Sequence, residues 1–312
     1  MTGAPARDAR LRGRGNGKVI LLGEHAAVYG HAAIAGAIDR GVDAIAVRRP
    51  GPLALRATGT FTLEVSRDDA HPVATALTIL GDELGIADGI ALEATSTLPA
   101  GAGLGSSAAL AVALTRALAA AIGRALDDDA VAELANRAER AFHGNPSGLD
   151  AAVAAHGGLV RFARGAALTP VHGAALPLVI GLSGQPRSTA AMVAKVAAAR
   201  DADASADLHL AQLGALADAA VAQLAEGAAA WPRLGAAMDE AHARLAALGV
   251  STPRLCAMVA AARDAGALGA KLTGGGGGGA VIALAPGRED AVLAACLGLD
   301  ATGFVTTLGG PA

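Results

Sequence analysis

LPAGAGLGSSAAL (Leu98 to Leu110) is the stretch on which the reading of this chain turns. Gly101, Gly103 and Gly105 remove side chains where a backbone must come close to an anion, and an apolar run, AALAVALTRALAAAI (Ala108 to Ile122), follows at once. Ser106 and Ser107 are of the type favoured at a helix N-cap, and the density of alanine and leucine behind them favours helix. The first turn of such a helix offers unpaired N–H groups and a partial positive charge to phosphate oxygens. The stretch is not a P-loop, whose GxxxxGK[ST] pattern needs a lysine before the serine. Taken alone, it reads as well as an ordinary glycine loop before a Ser-capped helix.

Two further glycine-rich stretches change the balance: GKVILLGEHAAVYG (Gly17 to Gly30) and KLTGGGGGGAVIAL (Lys271 to Leu284), with HGNPSGLD (His143 to Asp150) lying between the second and third of the three. Six consecutive glycines, Gly274 to Gly279, usually mark a flexible linker. Here Lys271-Leu272-Thr273 precedes them and AVIAL follows, which places the run inside a packed lobe where backbone must turn or approach closely. Three phosphate-type loops in this order point to phosphoryl transfer onto a small molecule.

Composition narrows the field. A length of 312 residues suggests about two domains. With 53% hydrophobic and 17% charged residues there is ample material for buried cores. A net charge of -3 and six aromatic residues argue against nucleic-acid binding. The two cysteines, Cys256 and Cys296, have neither metal-ligand spacing nor the number for a disulfide framework, fitting buried thiols in a reducing cytoplasm. Residues 1–16 carry arginines without an apolar core, and the apolar runs elsewhere are interrupted before a membrane span is reached, so neither an export signal nor an anchor is expected. Only three of the 25 basic residues are lysines, Lys18, Lys195 and Lys271, and two of these lie in the glycine-rich stretches. A lysine fits as a compact point charge among phosphate oxygens. A surface role is the plainer alternative.

Periodicity predicts strands over Val19 to Leu22, Val42 to Val47, Phe61 to Val65, Ile90 to Ala94, Gly157 to Phe162, from Leu178, Ala280 to Leu284 and Phe304 to Leu308. It predicts helices over Pro72 to Leu84, Ser107 to Ile122, Asp129 to Phe142, from Asp150, Arg187 to Ala199, Ser205 to Leu224, Leu234 to Ala247, Pro253 to Asp264 and Glu289 to Cys296. The class is α+β in two lobes, 1–170 and 171–312, joined by the linker-like RGAALTPVHG. Apolar helices such as Ser205 to Leu224 supply either a homodimer seam or core.

Glu139 and Asp150, eleven residues apart across a turn with Pro146, are candidates for two roles: a metal-holding carboxylate and a group that orients or deprotonates an alcohol. Viewed alone, Glu139 reads rather as a solvated helix-surface acid and Asp150 rather as an N-cap.

Together the quoted motifs resemble those of the GHMP kinase superfamily, and GEHAAVYG with HGNPSGLD is most similar to its mevalonate kinase branch. Galactokinases usually read GEHTDY at the first motif, homoserine kinases lack GEH, mevalonate diphosphate decarboxylases differ in the serine-rich loop, and phosphomevalonate kinases are the harder neighbour. The resemblance implies an N-terminal lobe of the ribosomal-protein-S5 type, a C-terminal ferredoxin-like lobe, and ATP-dependent phosphorylation of the 5-hydroxyl of mevalonate with Mg²⁺. It implies that Pro99, Gly101, Ala102, Gly103, Leu104, Gly105, Ser106 and Ser107 wrap the ATP phosphates, with Gly274, Gly275, Gly276 and Gly277 nearby. It makes Ser107 and Glu139 the Mg²⁺ ligands, Asp150 the base and Lys18 its partner. Glu24, His25, Arg164 and Thr189, with Lys18 and Asp150, would line the substrate pocket, Arg161 being a rival for the substrate carboxylate. The chain departs from the family at Gly15-Asn16-Gly17-Lys18, where APGK is common, and at Leu182-Ser183-Gly184-Gln185 before PRSTA. Another alcohol or phosphomevalonate as substrate, and a non-catalytic nucleotide-sensing relative, are the competing readings; Lys18, Ser107, Glu139 and Asp150 occurring together speak against the sensor.

Overall fold

The computed structural model describes residues 11–309 apart from 100, 144, 145 and 187. In chain order the elements are β1 (Arg12–Leu22), β2 (Ala33–Pro52), β3 (Ala54–Gly59), β4 (Leu63–Ser66), α1 (Pro72–Leu84), β5 (Asp88–Ser96), α2 (Ser106–Ala121), α3 (Asp128–His143), α4 (Leu149–His156), β6 (Leu159–Phe162) and β7 (Thr169–Val171). There follow β8 (Leu176–Leu182), α5 (Thr189–Ala202), α6 (Ser205–Ala225), α7 (Trp231–Ala247), α8 (Pro253–Asp264), β9 (Gly269–Thr273), β10 (Ala280–Leu284), α9 (Glu289–Leu297) and β11 (Thr302–Leu308). The strands form one 11-stranded sheet whose main path runs β4-β3-β5-β2-β11-β8-β10-β9, with β1 and β6 on β2 and β7 on β6. Among the described residues only β3 and β5 pair in parallel. β11 lies between the β2 and β8 neighbourhoods, so strands from both halves of the chain share one sheet.

β1 explains how the phosphate-type loop is placed. Its glycines at 13 and 15 share one face, as period-2 alternation requires, and α2 lies directly on that face. A Cβ on Gly13 would sit 2.1 Å from the Ala113 carbonyl oxygen, and one on Gly15 2.0 Å from that of Ala109. Facing alanines at i and i+4 on α2 complete this backbone-to-backbone seat. α2 is buried on nearly its whole circumference, as a helix apolar all round must be. Arg116 is its one charged residue, half-buried like Ser106, Ser107 and Ala120. Its guanidinium spends its N–H groups on the carbonyls of Arg14 (2.6 Å) and Ala155 (2.7 Å) and on Asp128.

α6 is long and apolar enough, by length and composition, to cross a membrane. In the fold its stripe Ala206, Leu210, Leu213, Ala217, Ala220 and Leu224 is buried, at the three- and four-residue spacing of a core-facing helix, and α6 packs on α7. α5 is seated more lightly, with Val196 its one buried apolar side chain; Arg200 stacks 4.2 Å from the Tyr29 ring and Lys195 donates to the Gly249 carbonyl at 2.5 Å.

Several sequence expectations need correction. β1 and β2 are far longer than Val19–Leu22 and Val42–Val47, and β3, β7 and β9 were not anticipated. The linker-like stretch contains β7, which pairs with β6. α2 is capped by Gly105, at φ 74°, and Ser106 and Ser107 fall inside the first turn. Asp150 likewise sits in the first turn of α4, behind a Gly148 cap. Cys296 is buried but Cys256 is exposed. The six glycines, as their flanking residues indicate, are no linker and need no correction: they close the β9–β10 hairpin, where Thr273 pairs with Ala280.

Because the Gly15 position has no room for even a methyl group, Gly15→Ala should lower stability by about 1–3 kcal/mol through overpacking. A urea midpoint equal to the parent's would show that α2 does not rest on the β1 backbone.

Candidate active site

A cleft of about 1090 Å³ opens where the loop before α2, the α3–α4 turn, the end of β1, the first turn of α5 and the β9–β10 hairpin converge. A smaller, more open hollow of about 740 Å³ beside Gly51, Arg67 and Asp82 lies elsewhere. Its guanidinium is already spent on Asp82 at 2.8 Å and on the carbonyls of Ile86 and Ala87.

Lys18 projects from β1 into the larger cleft, and its ammonium lies 3.0 Å from Asp150 Oδ1. The Lys18 backbone N–H donates to the Leu104 carbonyl at 2.9 Å, which fastens the glycine loop to β1. A Cβ on Gly105 would meet the Lys18 stem at 2.9 Å, so the loop lies against that side chain. Asp150 stands in the first turn of α4, where the helix dipole favours a negative charge. A buried cation and a half-exposed carboxylate thus share the cleft wall with Gly101, Gly103 and Gly105.

Ser107 Oγ, in the first turn of α2, donates to Glu139 Oε1 at 2.9 Å near the end of α3. With Arg116 bound to Asp128 at the other end, the two helices run antiparallel and hold the pair in register. Glu139 is 2% exposed. Burial, reinforced by the negative charge of Asp150, pushes its carboxyl up to about 7, against the opposing pull of the Ser107 hydrogen bond and Lys18. A hydroxyl and a carboxylate, both hard oxygen donors, in a wall that disfavours an uncompensated negative charge fit a magnesium ion that takes its other ligands from phosphates and water. No group of three His, Cys, Asp or Glu side chains forms a closed metal cage among the described residues.

Glu24 and His25 follow β1 in a bend where His25 takes φ 61°, an uncommon conformation for a residue with a side chain. His25 Nε2 lies 2.9 Å from the Gly275 carbonyl, and burial lowers its pKa from the ordinary 6.5, partly offset by that carbonyl and by Glu24. Glu24 Oε1 forms a wholly buried ion pair with Lys271 of β9, whose ammonium also donates to the Leu272 carbonyl at 2.8 Å. Two residues along the same face of β9, Thr273 Oγ1 bonds both N–H and C=O of Ile20, at 3.1 and 2.9 Å. The outer edge of β9 is closed by α7, from which Asp239 accepts from the Ala270 N–H at 2.9 Å and His242 Nδ1 from that of Leu272 at 3.4 Å. Burial and the nearby Lys271 charge bring His242 down to about 4, which keeps it neutral and able to accept.

Of the other residues singled out from sequence, Arg164, Thr189, Gly274, Gly275, Ser106 and Ser107 line the cleft. Arg161 is instead ion-paired to Asp218 of α6 at 2.8 Å. Leu104 is buried in the core and Ala102 packs against it, while Gly276 and Gly277 abut Val250 and Met192. Pro99 is half-buried at the entry to the loop.

Family models for the GHMP kinases N terminal domain and the GHMP kinases C terminal match residues 71–158 and 220–296. The chain is 35% identical over 317 residues to a mevalonate kinase of Thermococcus gammatolerans, covering 93% of this chain and 94% of that one. The chain belongs to the GHMP kinases. A mevalonate kinase of Pyrococcus horikoshii is 37% identical, with 89% of each chain covered. Among solved structures, L. major mevalonate kinase in complex with R-mevalonate superposes with a TM-score of 0.88 at 27% identity, covering 100% of this chain and 99% of that one.

This GHMP kinase also uses cleft residues to which sequence reading gave no role. Ile20, Phe142, Leu149, Phe162 and Val193 supply an apolar wall. Lys271 was marked only by being a rare lysine in a glycine-rich motif; no local pattern tells that its partner lies 247 residues upstream.

Because the native carboxyl of Glu139 holds its proton to about pH 7 and the unfolded one to about 4.5, its contribution to stability is greatest below 4.5 and is lost as pH rises through 7. The ligand-free Tm difference between the parent and Glu139→Gln should therefore shift against the parent between about pH 5 and about pH 8. A difference that stays constant with pH would contradict this assignment.

Proposed function

We propose that this GHMP kinase transfers the γ-phosphoryl group of ATP to the 5-hydroxyl of mevalonate, giving 5-phosphomevalonate and ADP, as a soluble cytoplasmic enzyme. Membership of the family and the similarity to mevalonate kinases support the reading. The observation that carries it is the Lys18–Asp150 pair, 3.0 Å apart, set in the same cleft wall as the glycine loop and the Ser107–Glu139 pair.

The glycine loop and the first turn of α2 receive the phosphates, with backbone N–H groups and the helix dipole as the attraction. Ser107 and Glu139 would hold a magnesium ion, which when bound supplies positive charge against the negative charge of the phosphoryl oxygens. Asp150 orients the attacking alcohol by accepting its hydrogen bond. A carboxylate is too weak a base to deprotonate an alkanol beforehand, so proton transfer is late. As the new O–P bond forms and the bond to the leaving ADP oxygen breaks, the hydroxyl becomes acidic and its proton passes to an Asp150 oxygen. Lys18 fixes the orientation of that carboxylate through Oδ1 and adds positive charge beside the transferring group. Arg164, exposed on the cleft rim and hydrogen-bonded only weakly to the Val28 carbonyl at 3.4 Å, is the proposed partner of the mevalonate carboxylate. The lobes are proposed to divide at 170/171, within the short strand β7.

ADP release measured side by side with mevalonate, phosphomevalonate, homoserine and galactose tests the assignment; turnover confined to one of the last three would replace the substrate, and none at all would leave a nucleotide sensor. Asp150→Asn should reduce kcat by about 10²–10⁴-fold with the KM for ATP nearly unchanged. Parent-like turnover in that variant would remove Asp150 from the reaction.

A further inference from the structure

We propose that Arg116 is a positioning residue: from the ends of the helices far from the cleft, its guanidinium sets where Glu139 and Asp150 stand relative to Lys18 and Ser107. This deepens the phosphoryl-transfer reading and rests on it.

Four elements carry the four cleft groups: β1 carries Lys18, α2 Ser107, α3 Glu139 and α4 Asp150. Arg116 belongs to α2 and touches each of the other three. Its Nη1 donates to the Arg14 carbonyl of β1 at 2.6 Å. Its Nη2 donates to Asp128, in the first turn of α3, and to the Ala155 carbonyl of α4 at 2.7 Å. The neighbouring residues repeat the tie between α3 and α4, since His156 Nε2 lies 3.0 Å from Asp129 Oδ1. The stem is seated as well: a Cβ on Gly13 would meet Arg116 Cβ at 2.8 Å, so the side chain leaves α2 against bare strand. With 25% of the side chain exposed and two carbonyls among its partners, this is more than the surface ion pair that contributes little.

At 1.5 Å per residue, Arg116 lies about 13 Å along α2 from Ser107, and Asp128 about 16 Å along α3 from Glu139. At that distance the guanidinium acts on the cleft through the helices and not on the reacting atoms. β1 and α2 have fastenings of their own, in the glycine seat and in the bond from the Lys18 N–H to the Leu104 carbonyl. What Arg116 adds is the placement along their axes of α3 and α4, the two helices that carry the acids. A planar fork with donors on several sides can serve three acceptors at once, which a compact ammonium cannot do in the same geometry.

The test measures kcat, the KM for ATP and Tm for the parent, Arg116→Met, Asp150→Asn and the double variant, with turnover assayed well below every Tm. A misplacement of about 1 Å can cost about a hundredfold, so Arg116→Met should lower kcat about ten- to hundredfold. The KM for ATP should stay nearly unchanged, because the glycine loop keeps its own seat. In the Asp150→Asn background the same change should cost far less, since the carboxylate it positions is gone. A merely structural tie predicts a lower Tm with parent-like kcat, and an unconnected effect predicts equal kcat losses in both backgrounds. Either outcome, or a loss confined to the KM for ATP, overturns the proposal. Should Arg116→Met fail to fold, Arg116→Lys, which keeps the charge and loses the fork, takes its place with the same outcomes. A parent that phosphorylates a different alcohol is assayed on that alcohol, again with the same outcomes. A parent that phosphorylates none sinks the functional reading and this inference with it, whereas an active parent with an additive cycle sinks the inference alone.

Discussion

The seating of α2 on the bare backbone of β1 is the contact on which the rest of the molecule depends. Because Gly13 and Gly15 carry no side chain, the helix axis approaches the strand until alanine carbonyls touch it. That depth fixes where the first turn of α2 ends up, and with it the glycine loop and Ser107. The same strand carries Lys18 a few residues on and delivers Glu24 and His25 beyond its end. One strand therefore sets the relative positions of the glycine loop, of Lys18 beside Asp150 and of the buried Glu24. An error in its packing is transmitted to all three.

Charge is managed in two different ways within a single cleft. Lys18 and Asp150 form a pair with one partner half-exposed in the cleft wall. Lys271 and Glu24 are sealed from water, and breaking a buried pair of this kind by removing one member typically costs about 3–5 kcal/mol. The first arrangement leaves its carboxylate within reach of whatever enters the cleft. The second suits a group that must stay where it is, and it also ties β9 of the C-terminal half to the loop after β1 of the N-terminal half. Thr273 repeats that tie with neutral hydrogen bonds two residues along.

Helices were the most legible part of the fold. Pro72–Leu84 and Pro253–Asp264 have the bounds that periodicity and a proline in the first turn indicate. Strands were read less well, for identifiable reasons. β2 runs for 20 residues, but its glycines and its charged RRPGP end interrupt the β signal on both sides of Val42–Val47. β9 hides in KLT, where a lysine in a wholly buried strand contradicts composition until its partner is known. The α2 cap was misjudged because Ser106 is a good cap residue, yet the turn into the helix requires the positive φ that Gly105 supplies. In the site, Lys18, Ser107, Glu139 and Asp150 could be named because each lies in a compact motif. Their pairings, and the whole part played by Lys271, are products of contacts between distant segments that no local pattern encodes.

The chain has one tryptophan, Trp231, which opens α7 and packs half-buried against the core. α7 is also the helix whose Asp239 and His242 close the edge of β9. The single indole is thus a built-in optical reporter for one side of the molecule: its emission follows the docking of α7 and is nearly silent about the glycine loop in front of α2. Fluorescence and circular dichroism would consequently record different events during unfolding if the two halves come apart in separate steps, and would superimpose if the shared sheet makes them melt as one.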